Sequence, residues 1–450
     1  MDALQSQSLT KYLLCHKLIS DRQFGFLPGR STTLQLVSLV NEWQAALDSG
    51  SPTVAVFMDF MKAFDRVWHN GLLHKLALAG LSDHSVAWLT SYLSARSIEV
   101  TIGNTRSTQK VITACVPQGS HLGPVLFLVF INDMPDTISS ATVSKTKTDL
   151  YADDALLHTI CPPTLAGRSP SHLQVLQTAV DTAEEWAVSW GGRFGHSKTI
   201  QLAFGHKMHN VCQNNPLYIE QQRITLALNH KHLGIILSST LRWSDHIAAI
   251  TLKASQRIGL LCVMAKTLQQ DLIVQLYTTY VRPCMEYASP VWHSSLSAAE
   301  ATTLERLQAR MARTVLRAPW ETPKSTLLTT LDWPSLRFRR AIACMVLFHR
   351  LMQLKLQPSD PPVPDLLPFI TISSASDRHH RKPRQIVLPR IRSQAYLRSY
   401  FVQAAIAWNS LPSSLQETTS PDAFRHGLEE RWNKSKFVTN ADPLTTESLR

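Results

Sequence analysis

The pattern of apolar and polar positions changes along the chain. In the first third, short runs rich in β-branched residues alternate with segments in which leucine recurs at near-helical spacing. The leucines between residues 72 and 93 predict helices that face a core. From about residue 244 onward helical patterns dominate, so the sequence predicts a mixed α/β core followed by a helical domain. Predicted strands lie at 53–59, 97–102, 147–152 and 155–160.

Two interruptions divide this pattern. Ser238-Ser239-Thr240 separates the α/β part from the helical part. Five prolines between residues 358 and 368 would interrupt any helix and predict an exposed linker. We therefore expect five regions, with the bounds 1–52, 53–240, 241–356, 357–377 and 378–450.

The composition is that of a folded protein with a basic surface. Of 450 residues, 44% are hydrophobic and 17% are charged, which is ordinary for a globular chain. The 45 basic residues outnumber the 33 acidic ones, giving a net charge of +12. Such a balance favours a polyanionic partner, and nucleic acid is the leading candidate.

The cysteines and the apolar runs argue against several classes of protein. Seven cysteines are scattered without the spacing of a zinc site or a disulfide framework, so we expect a reducing, intracellular setting. Apolar runs such as 125–131 and 341–348 are much shorter than the ~20 residues of a membrane span. We expect no membrane partner and find no signal peptide at the start.

Carboxylates occur at the ends of predicted strands. Asp59 closes the run 53–59, and Tyr151-Ala152-Asp153-Asp154 lies between two apolar runs. Two Mg²⁺ ions roughly 3.5–4 Å apart need carboxylate oxygens from at least two chain segments. A tight hairpin at Asp153-Asp154 beside the end of the strand that carries Asp59 would supply this carboxylate set.

A second motif precedes the hairpin. Pro117-Gln118-Gly119 leads into the apolar run 125–131, and its glycine permits close approach of a base or sugar. On its own such a turn also fits an ordinary connection between a loop and a helix. Its position 35 residues before Asp153 makes the functional interpretation stronger.

The order of these motifs resembles the reverse transcriptases of non-LTR (LINE-type) retrotransposons, especially Jockey-like ones. The resemblance begins at residues 23–32 and 57–65, passes through the Pro-Gln-Gly block and the Tyr-Ala-Asp-Asp hairpin, and extends over roughly residues 20–435. It implies an RNA-directed DNA polymerase, with an RNA template, a DNA primer or target, and dNTPs as partners. The implied fold is an α/β (α+β) palm at 53–240 with partial fingers at 1–52, a helical thumb-like domain at 241–356 and a C-terminal extension.

The resemblance also implies roles for the carboxylates. Asp59 and Asp153 would bind both of two Mg²⁺ ions, with Mn²⁺ as an alternative metal. Asp154 would be a weaker or supporting ligand, and Phe60 would offer its backbone carbonyl.

Four further residues would form the nucleotide site. Phe64 would be the steric gate that selects deoxynucleotides by clashing with a 2′-hydroxyl, although a plain core phenylalanine also fits. Gln118 and Gly119 would line the pocket. Lys198 would donate a proton to the leaving pyrophosphate; a solvated surface lysine fits nearly as well, because Gly195 replaces the asparagine usual in the family.

Basic residues outside the site suggest how nucleic acid is held. A spacing of 4, 3 and 4 residues predicts one arginine face on a helix, and a second basic segment follows the prolines. A solvated helix face and a merely soluble loop are the alternatives. The expected nucleic-acid-binding residues are Arg306, Arg310, Arg313, Arg317, Arg378, Arg381, Lys382 and Arg384.

Several positions depart from the family pattern. Leu27, Met61, Cys115 and His121 occupy positions usually held by Arg, Ser, Gly and a small apolar residue. The upstream fingers motif and the endonuclease of the family are not in the chain, so we expect a separate endonuclease or a missing N-terminal part. A catalytically inactive, nucleic-acid-binding remnant is the alternative function. For either, a nuclear or cytoplasmic location is expected.

Overall fold

The computed structural model describes residues 2–143, 145–163, 171–205, 207–356, 371–372, 385–440 and 442–444. Its α-helices are α1 (Asp2–Cys15), α2 (Thr32–Asp48), α3 (His69–Leu78), α4 (Asp83–Leu93), α5 (Leu122–Ile131), α6 (Met134–Ala141), α7 (Ser171–Ser189), α8 (Met208–Asn214), α9 (Ser244–Met264), α10 (Gln270–Leu276), α11 (Ser289–Trp292), α12 (Ala298–Leu316), α13 (Lys324–Thr330), α14 (Leu336–Leu356), α15 (Gln394–Leu397), α16 (Tyr400–Ser410), α17 (Ser413–Gln416) and α18 (Pro421–Arg431).

The β-strands contain fewer residues in total than the helices, and most of them lie before residue 240. They are β1 (Thr53–Asp59), β2 (Ser97–Ile98), β3 (Thr101–Ile102), β4 (Thr105–Arg106), β5 (Lys110–Val111), β6 (Lys147–Tyr151), β7 (Asp154–Ile160), β8 (Ile200–Phe204), β9 (Tyr218–Ile219), β10 (Gln222–Arg223), β11 (Thr225–Ala227), β12 (Asn229–His232), β13 (Ile235–Ser238), β14 (Thr371–Ile372) and β15 (Ile386–Val387).

The described chain forms two compact units. The first contains residues 2–32 and 50–228, and the second contains 33–49 together with the described residues from 229 onward. This division differs from the expected regions 1–52 and 53–240, because α2 belongs to the second unit. The Asp48 carboxylate there accepts hydrogen bonds from the backbone N–H groups of Arg392 and Ser393.

A five-stranded sheet in the order β11-β8-β1-β7-β6 organises the first unit. β1 lies antiparallel between β7 and β8, while β6 and β7 form a hairpin. Val54, Val56 and Met58 of β1 are packed in the same core as residues of α3, α5 and α7. Because side chains alternate along a strand, Asp59 lies on the opposite face of the sheet from this core.

Three of the predicted strands match the structure closely, at 53–59, 147–152 and 155–160. The single strand predicted at 97–102 is wrong. Two separate short pairs form there instead, β2 with β5 and β3 with β4, and their residues are exposed. Alternating β-branched residues in this segment therefore mark small exposed hairpins, because no core covers either face.

Helices dominate the second unit, as the pattern after residue 244 predicts. α12 packs against α9, and α14 packs against α12, α16 and α18. α9 is also long and apolar enough to cross a membrane by length and composition, the one such helix in the part of the chain that the structure describes. That is weak evidence, since helices packed in a protein core pass the same test.

The linker expected at 357–377 lies outside the described residues except for β14. Thr371–Ile372 pairs there with Ile386–Val387. The basic residues expected to bind nucleic acid between Arg378 and Arg384 also lie outside the described residues.

Candidate active site

The ends of β1 and β7 bring together the carboxylates expected to bind metal. In the antiparallel register Asp59 is the partner of Asp154, and Asp153 lies in the two-residue turn between β6 and β7. Ala152, the first residue of that turn, has a left-handed φ of 55°. The structure therefore places Asp59, Asp153 and Asp154 at one end of the sheet, although Asp59 lies 94 residues before Asp153 in sequence.

The electrostatics of this end are unfavourable in the absence of a cation. Partial burial, then the charges of Asp153 and Asp59, raise the pKa of Asp154 to about 6. Burial, and then the charge of Asp59, also raise the pKa of Asp153. Crowded carboxylates with raised pKa values are typical of functional sites, because each of them is stabilised when a cation binds.

Lys198 lies at the same end of the sheet. It follows a turn in which the Gly195 N–H donates to the Asp59 carbonyl at 2.9 Å. The Lys198 Nζ donates to Asp59 Oδ2 at 3.0 Å, so this lysine acts as a counter-ion of the carboxylate. Its expected role toward pyrophosphate stays a prediction.

The oxygen donors fit a hard divalent cation, since carboxylates are the ligands that Mg²⁺ prefers. Among the described residues, however, no three His, Cys, Asp or Glu side chains are arranged to hold one ion. Lys198 occupies an oxygen of Asp59 in this conformation. A cation bound through Oδ2 would displace Lys198, whereas one bound through Oδ1 would leave the contact in place.

The backbone at Phe60 is fixed on both sides. Phe60 forms an antiparallel bridge with Phe194, and the Met61 N–H donates to the Arg193 carbonyl at 2.9 Å. A Cβ on Gly192 would lie 2.0 Å from the Phe60 ring, so only glycine fits there. This packing sets the position of the Phe60 carbonyl, whose role as a metal ligand stays a prediction.

Phe64 lies in a short 3₁₀ turn after β1 and is only partly buried. Its ring stacks on Phe127 with centroids 4.8 Å apart and meets Phe26 edge-to-face at 6.1 Å. One face of the ring is therefore packed on a buried side chain while the residue as a whole stays partly exposed, so Phe64 fits both a core residue and a steric gate. The Val116 N–H donates to the Phe64 carbonyl at 2.9 Å and brings the Pro-Gln-Gly loop alongside.

The Pro-Gln-Gly loop is exposed beside Phe64. The Gln118 Nε2 donates to Asp65 Oδ1 at 2.9 Å. Gly119 has a φ of 85°, and a Cβ there would meet nothing within 4 Å. The glycine is therefore required by the backbone conformation of the turn, and the space around it is open to a ligand.

Phe26 is a candidate that the sequence did not single out. Its ring is 50% exposed, its φ of 56° lies in the strained left-handed region, and it contacts Phe64. An exposed aromatic residue with a strained backbone is a common feature of binding sites. The one sequence signal is an aromatic residue between glycines, at Gly25-Phe26-Leu27-Pro28-Gly29.

The expected arginine face in the second unit is smaller than predicted. Arg306 and Arg310 are exposed on α12, but the helix ends at Leu316. Arg317 is the C-cap, with a φ of 51°, and leaves the helical face. The Arg313 guanidinium donates to the Pro319 and Thr322 carbonyls and lies 4.8 Å from the exposed Trp320 ring. The prediction of four aligned arginines is wrong because helical spacing was extended past the end of the helix.

Comparison with known proteins places this geometry in a family. Residues 2–236, just over half of the chain, match the model of the family "Reverse transcriptase (RNA-dependent DNA polymerase)". The chain belongs to the reverse transcriptase family. The predicted fold class, an α/β polymerase palm followed by a helical part, is thereby confirmed, while the region boundaries stay predictions.

The similar proteins come from non-LTR retrotransposons. The RNA-directed DNA polymerase from mobile element jockey of Drosophila melanogaster is 31% identical over 69% of this chain and 34% of that protein. The probable RNA-directed DNA polymerase from transposon BS of the same species is 30% identical over 74% of this chain and 36% of that protein. The chain therefore spans about a third of the length of these relatives and carries a reverse transcriptase domain of their kind.

A telomerase structure from Candida tropicalis aligns over 53% of this chain and 44% of that one. At 12% identity and a TM-score of 0.38, this likeness is too low to support an argument.

Proposed function

We propose that this chain copies RNA into DNA, adding deoxynucleotides to a primer 3′-hydroxyl with two Mg²⁺ ions. The observation that carries the proposal is the register of β1 with β7, which pairs Asp59 with Asp154 next to Asp153. When bound, the metal pair lowers the pKa of the primer hydroxyl and stabilises the leaving pyrophosphate in an in-line displacement.

The residues of the chain act mainly by positioning. Asp59 and Asp153 would hold the cations from two chain segments, and Asp154 would add negative charge at the same place. Lys198, whose Nζ lies 3.0 Å from Asp59 Oδ2, would donate a proton to the leaving pyrophosphate. An RNA template and a DNA primer then lie along the face of the sheet that carries Asp59.

Sugar selection would come from Phe64. The stack with Phe127 limits movement of the ring, so a ribose 2′-hydroxyl meets a fixed obstacle. Replacing the ring by the smaller side chain in Phe64→Val should raise ribonucleotide incorporation at least about tenfold, while deoxynucleotide use changes little. Unchanged discrimination would assign the ring to core packing alone.

Primer extension tests the proposal directly. The purified chain is given an RNA template, a DNA primer and dNTPs, with Mg²⁺, Mn²⁺ or EDTA. We expect extension that depends on the divalent cation and falls at least about a thousandfold in Asp153→Asn, or about 4 kcal/mol of transition-state stabilisation.

Asp136→Asn is the matched control, since it makes the same change at an exposed aspartate of α6. Its activity should equal that of the wild type. No extension by the wild type under any of these conditions would reject polymerase activity of this chain. Equal extension by Asp153→Asn would reject the metal role.

A further inference from the structure

The segment at residues 22–25 runs along the outer edge of β6. Gln23 forms a parallel bridge with Leu150, in which the Phe24 N–H donates to the Leu150 carbonyl at 2.8 Å. The Leu150 N–H donates in turn to the Arg22 carbonyl at 2.9 Å. This short segment therefore extends the sheet next to the hairpin that carries Asp153 and Asp154.

The side chain of Gln23 reaches from this segment into the turn of the hairpin. It is buried, with 2% of its surface exposed. Its Oε1 accepts hydrogen bonds from the N–H groups of Ala152 and Gly25, both at 2.8 Å. Its Nε2 donates to the Ala152 carbonyl at 3.3 Å. One amide therefore satisfies both backbone groups of Ala152, which requires a donor and an acceptor together.

Ala152 needs such support for two reasons. Its left-handed φ of 55° is disfavoured by a factor of about ten for residues other than glycine. It is also 4% exposed, so its N–H and carbonyl are largely shielded from water. The conformation at this residue sets the direction in which the chain enters Asp153 and Asp154.

The surrounding contacts leave the turn little room to move. A Cβ on Gly25 would lie 2.4 Å from the Ala152 nitrogen, so a side chain cannot replace this glycine. Behind the segment, the Arg30 guanidinium donates to the carbonyls of Ser20, Asp21 and Gln23. The Arg30 guanidinium thus fixes the backbone of Gln23, while the side chain of Gln23 fixes the backbone of Ala152.

We infer that Gln23 is a positioning residue, which fixes the Ala152 backbone and thereby aims Asp153 and Asp154 at their cations. It touches no reacting atom and acts through the turn alone. The inference deepens the proposed function and rests on it for its consequence in catalysis. The hydrogen bonds themselves can be tested without catalysis.

The main test replaces the amide by an apolar chain of similar length, in Gln23→Met. We expect the Ala152 amide to exchange its hydrogen at least about tenfold faster, measured at single-residue resolution. We also expect Mn²⁺, used as a paramagnetic probe, to bind at least about tenfold more weakly, since loss of an outer-shell partner typically costs 10–100-fold in metal affinity. Gln201→Met is the matched control, because Gln201 is equally buried in the same unit but lies on β8.

A second variant separates support of the turn from general packing. Glycine adopts the left-handed conformation freely, so Gln23→Met combined with Ala152→Gly should recover about threefold or more of the lost Mn²⁺ affinity. A purely structural role in the core would give no recovery, since the second substitution removes a further methyl group.

Gln23→Glu covers the case in which Gln23→Met does not fold. It keeps the size and the acceptor but presents a carboxylate to the Ala152 carbonyl. We expect the Ala152 amide to stay protected while Mn²⁺ affinity falls at least about tenfold.

The two proposals fail in different ways. Absence of primer extension by the wild type would reject the proposed function, while the exchange and Mn²⁺ measurements would still decide the role of Gln23. Wild-type exchange and Mn²⁺ affinity in folded Gln23→Met would overturn the inference. Equal losses in Gln201→Met would overturn it as well, because they would show a general response of the core.

Discussion

The hairpin of β6 and β7 carries two aspartates in opposite environments. Asp149 is 3% exposed, and it accepts hydrogen bonds from His158 at 3.0 Å and Arg22 at 3.3 Å. Burial alone would raise its pKa, but the hydrogen bond and charge of His158, with the charge of Arg22, lower it. Asp154 has carboxylates as neighbours, and burial together with those neighbours raises its pKa to about 6.

The comparison shows how one hairpin can hold a structural and a functional carboxylate. Breaking a buried ion pair by removing one partner leaves the other partner buried without compensation, so Asp149 serves stability. Asp154 gains from a partner only when a cation binds, so its present environment costs stability and serves function. The two sites should therefore respond to the same substitution with opposite signs.

The largest effect on stability is expected at Asp149, whose charge is compensated by His158 and Arg22. Asp149→Asn should lower the free energy of unfolding by about 3 kcal/mol at pH 7, because His158 and Arg22 lose the charge they face. Since the folded pKa of Asp149 is lowered, the difference from the wild type should shrink as the pH falls below about 4. Urea unfolding at several pH values measures both. A loss below about 1 kcal/mol would show that the pair contributes little.

Lys75 sharpens the comparison with a buried charge of the opposite sign. Its Nζ donates to the Phe130 carbonyl and Asp133 at 2.6 Å and lies 3.6 Å from the Trp190 ring centroid. Burial, opposed by Asp133, lowers its pKa from 10.5 to about 8. Between these values the unfolded chain binds more protons, so stability rises with pH.

The test of this effect is a pH series on Lys75→Met. From pH 8 to 10.5, the free energy of unfolding of the wild type should rise by up to about 3 kcal/mol relative to that of the variant. Below pH 8 the difference between the two should stay constant. Lys11→Met, at an exposed lysine of α1, is the control. A flat difference across this range would mean that the ammonium is well compensated where it lies.

A smaller effect of reversed sign is expected at the active site. Asp154→Asn should raise the free energy of unfolding by about 1 kcal/mol in EDTA at pH 7, discounted for the partial exposure of the carboxylate. Because the folded pKa is raised, this advantage should fade as the pH falls from about 6 to 4. Mg²⁺ should reduce or reverse this difference in stability between the variant and the wild type, which thermal unfolding can measure. A variant less stable than the wild type in EDTA would contradict the unfavourable environment inferred for Asp154.

Exposed charges should affect binding and leave stability almost unchanged. Replacing Arg306 and Arg310 by Gln should alter the free energy of unfolding by less than about 0.5 kcal/mol. If each arginine meets a phosphate, the slope of log K against log salt for duplex DNA should flatten by about 2 units. Arg425→Gln with Arg431→Gln on α18 removes the same charge as a control. Equal slopes in the two double variants would show that the exposed arginines of α12 are solvated and do not contact phosphates.

The strand that carries Asp59 was predictable because a period-two or continuous apolar run records burial directly in the sequence. The grouping of Asp59 with the hairpin was inferred from the carboxylates that two metal ions need, since the pairing register of segments so far apart in sequence leaves no local signal. The end of α12 was missed because Arg317 continues the 3.6-residue spacing after the helix has stopped. The contact of Gln23 with Ala152 was not predictable, because a buried amide in a loop has no periodicity and its partner lies 129 residues away.

The position of α2 in the sequence determines when this helix can pack during synthesis. Most of the unit to which α2 belongs begins at Asn229, about 180 residues after α2 ends. At the usual 5–20 residues per second, α2 waits roughly 10–40 s on the ribosome before those residues are made. Leu36 and Trp43, with 0% of their surface exposed in the finished fold, belong to this later-completed unit. The sheet that carries the active site can therefore form first, and α2 becomes a nascent segment that chaperones have time to bind.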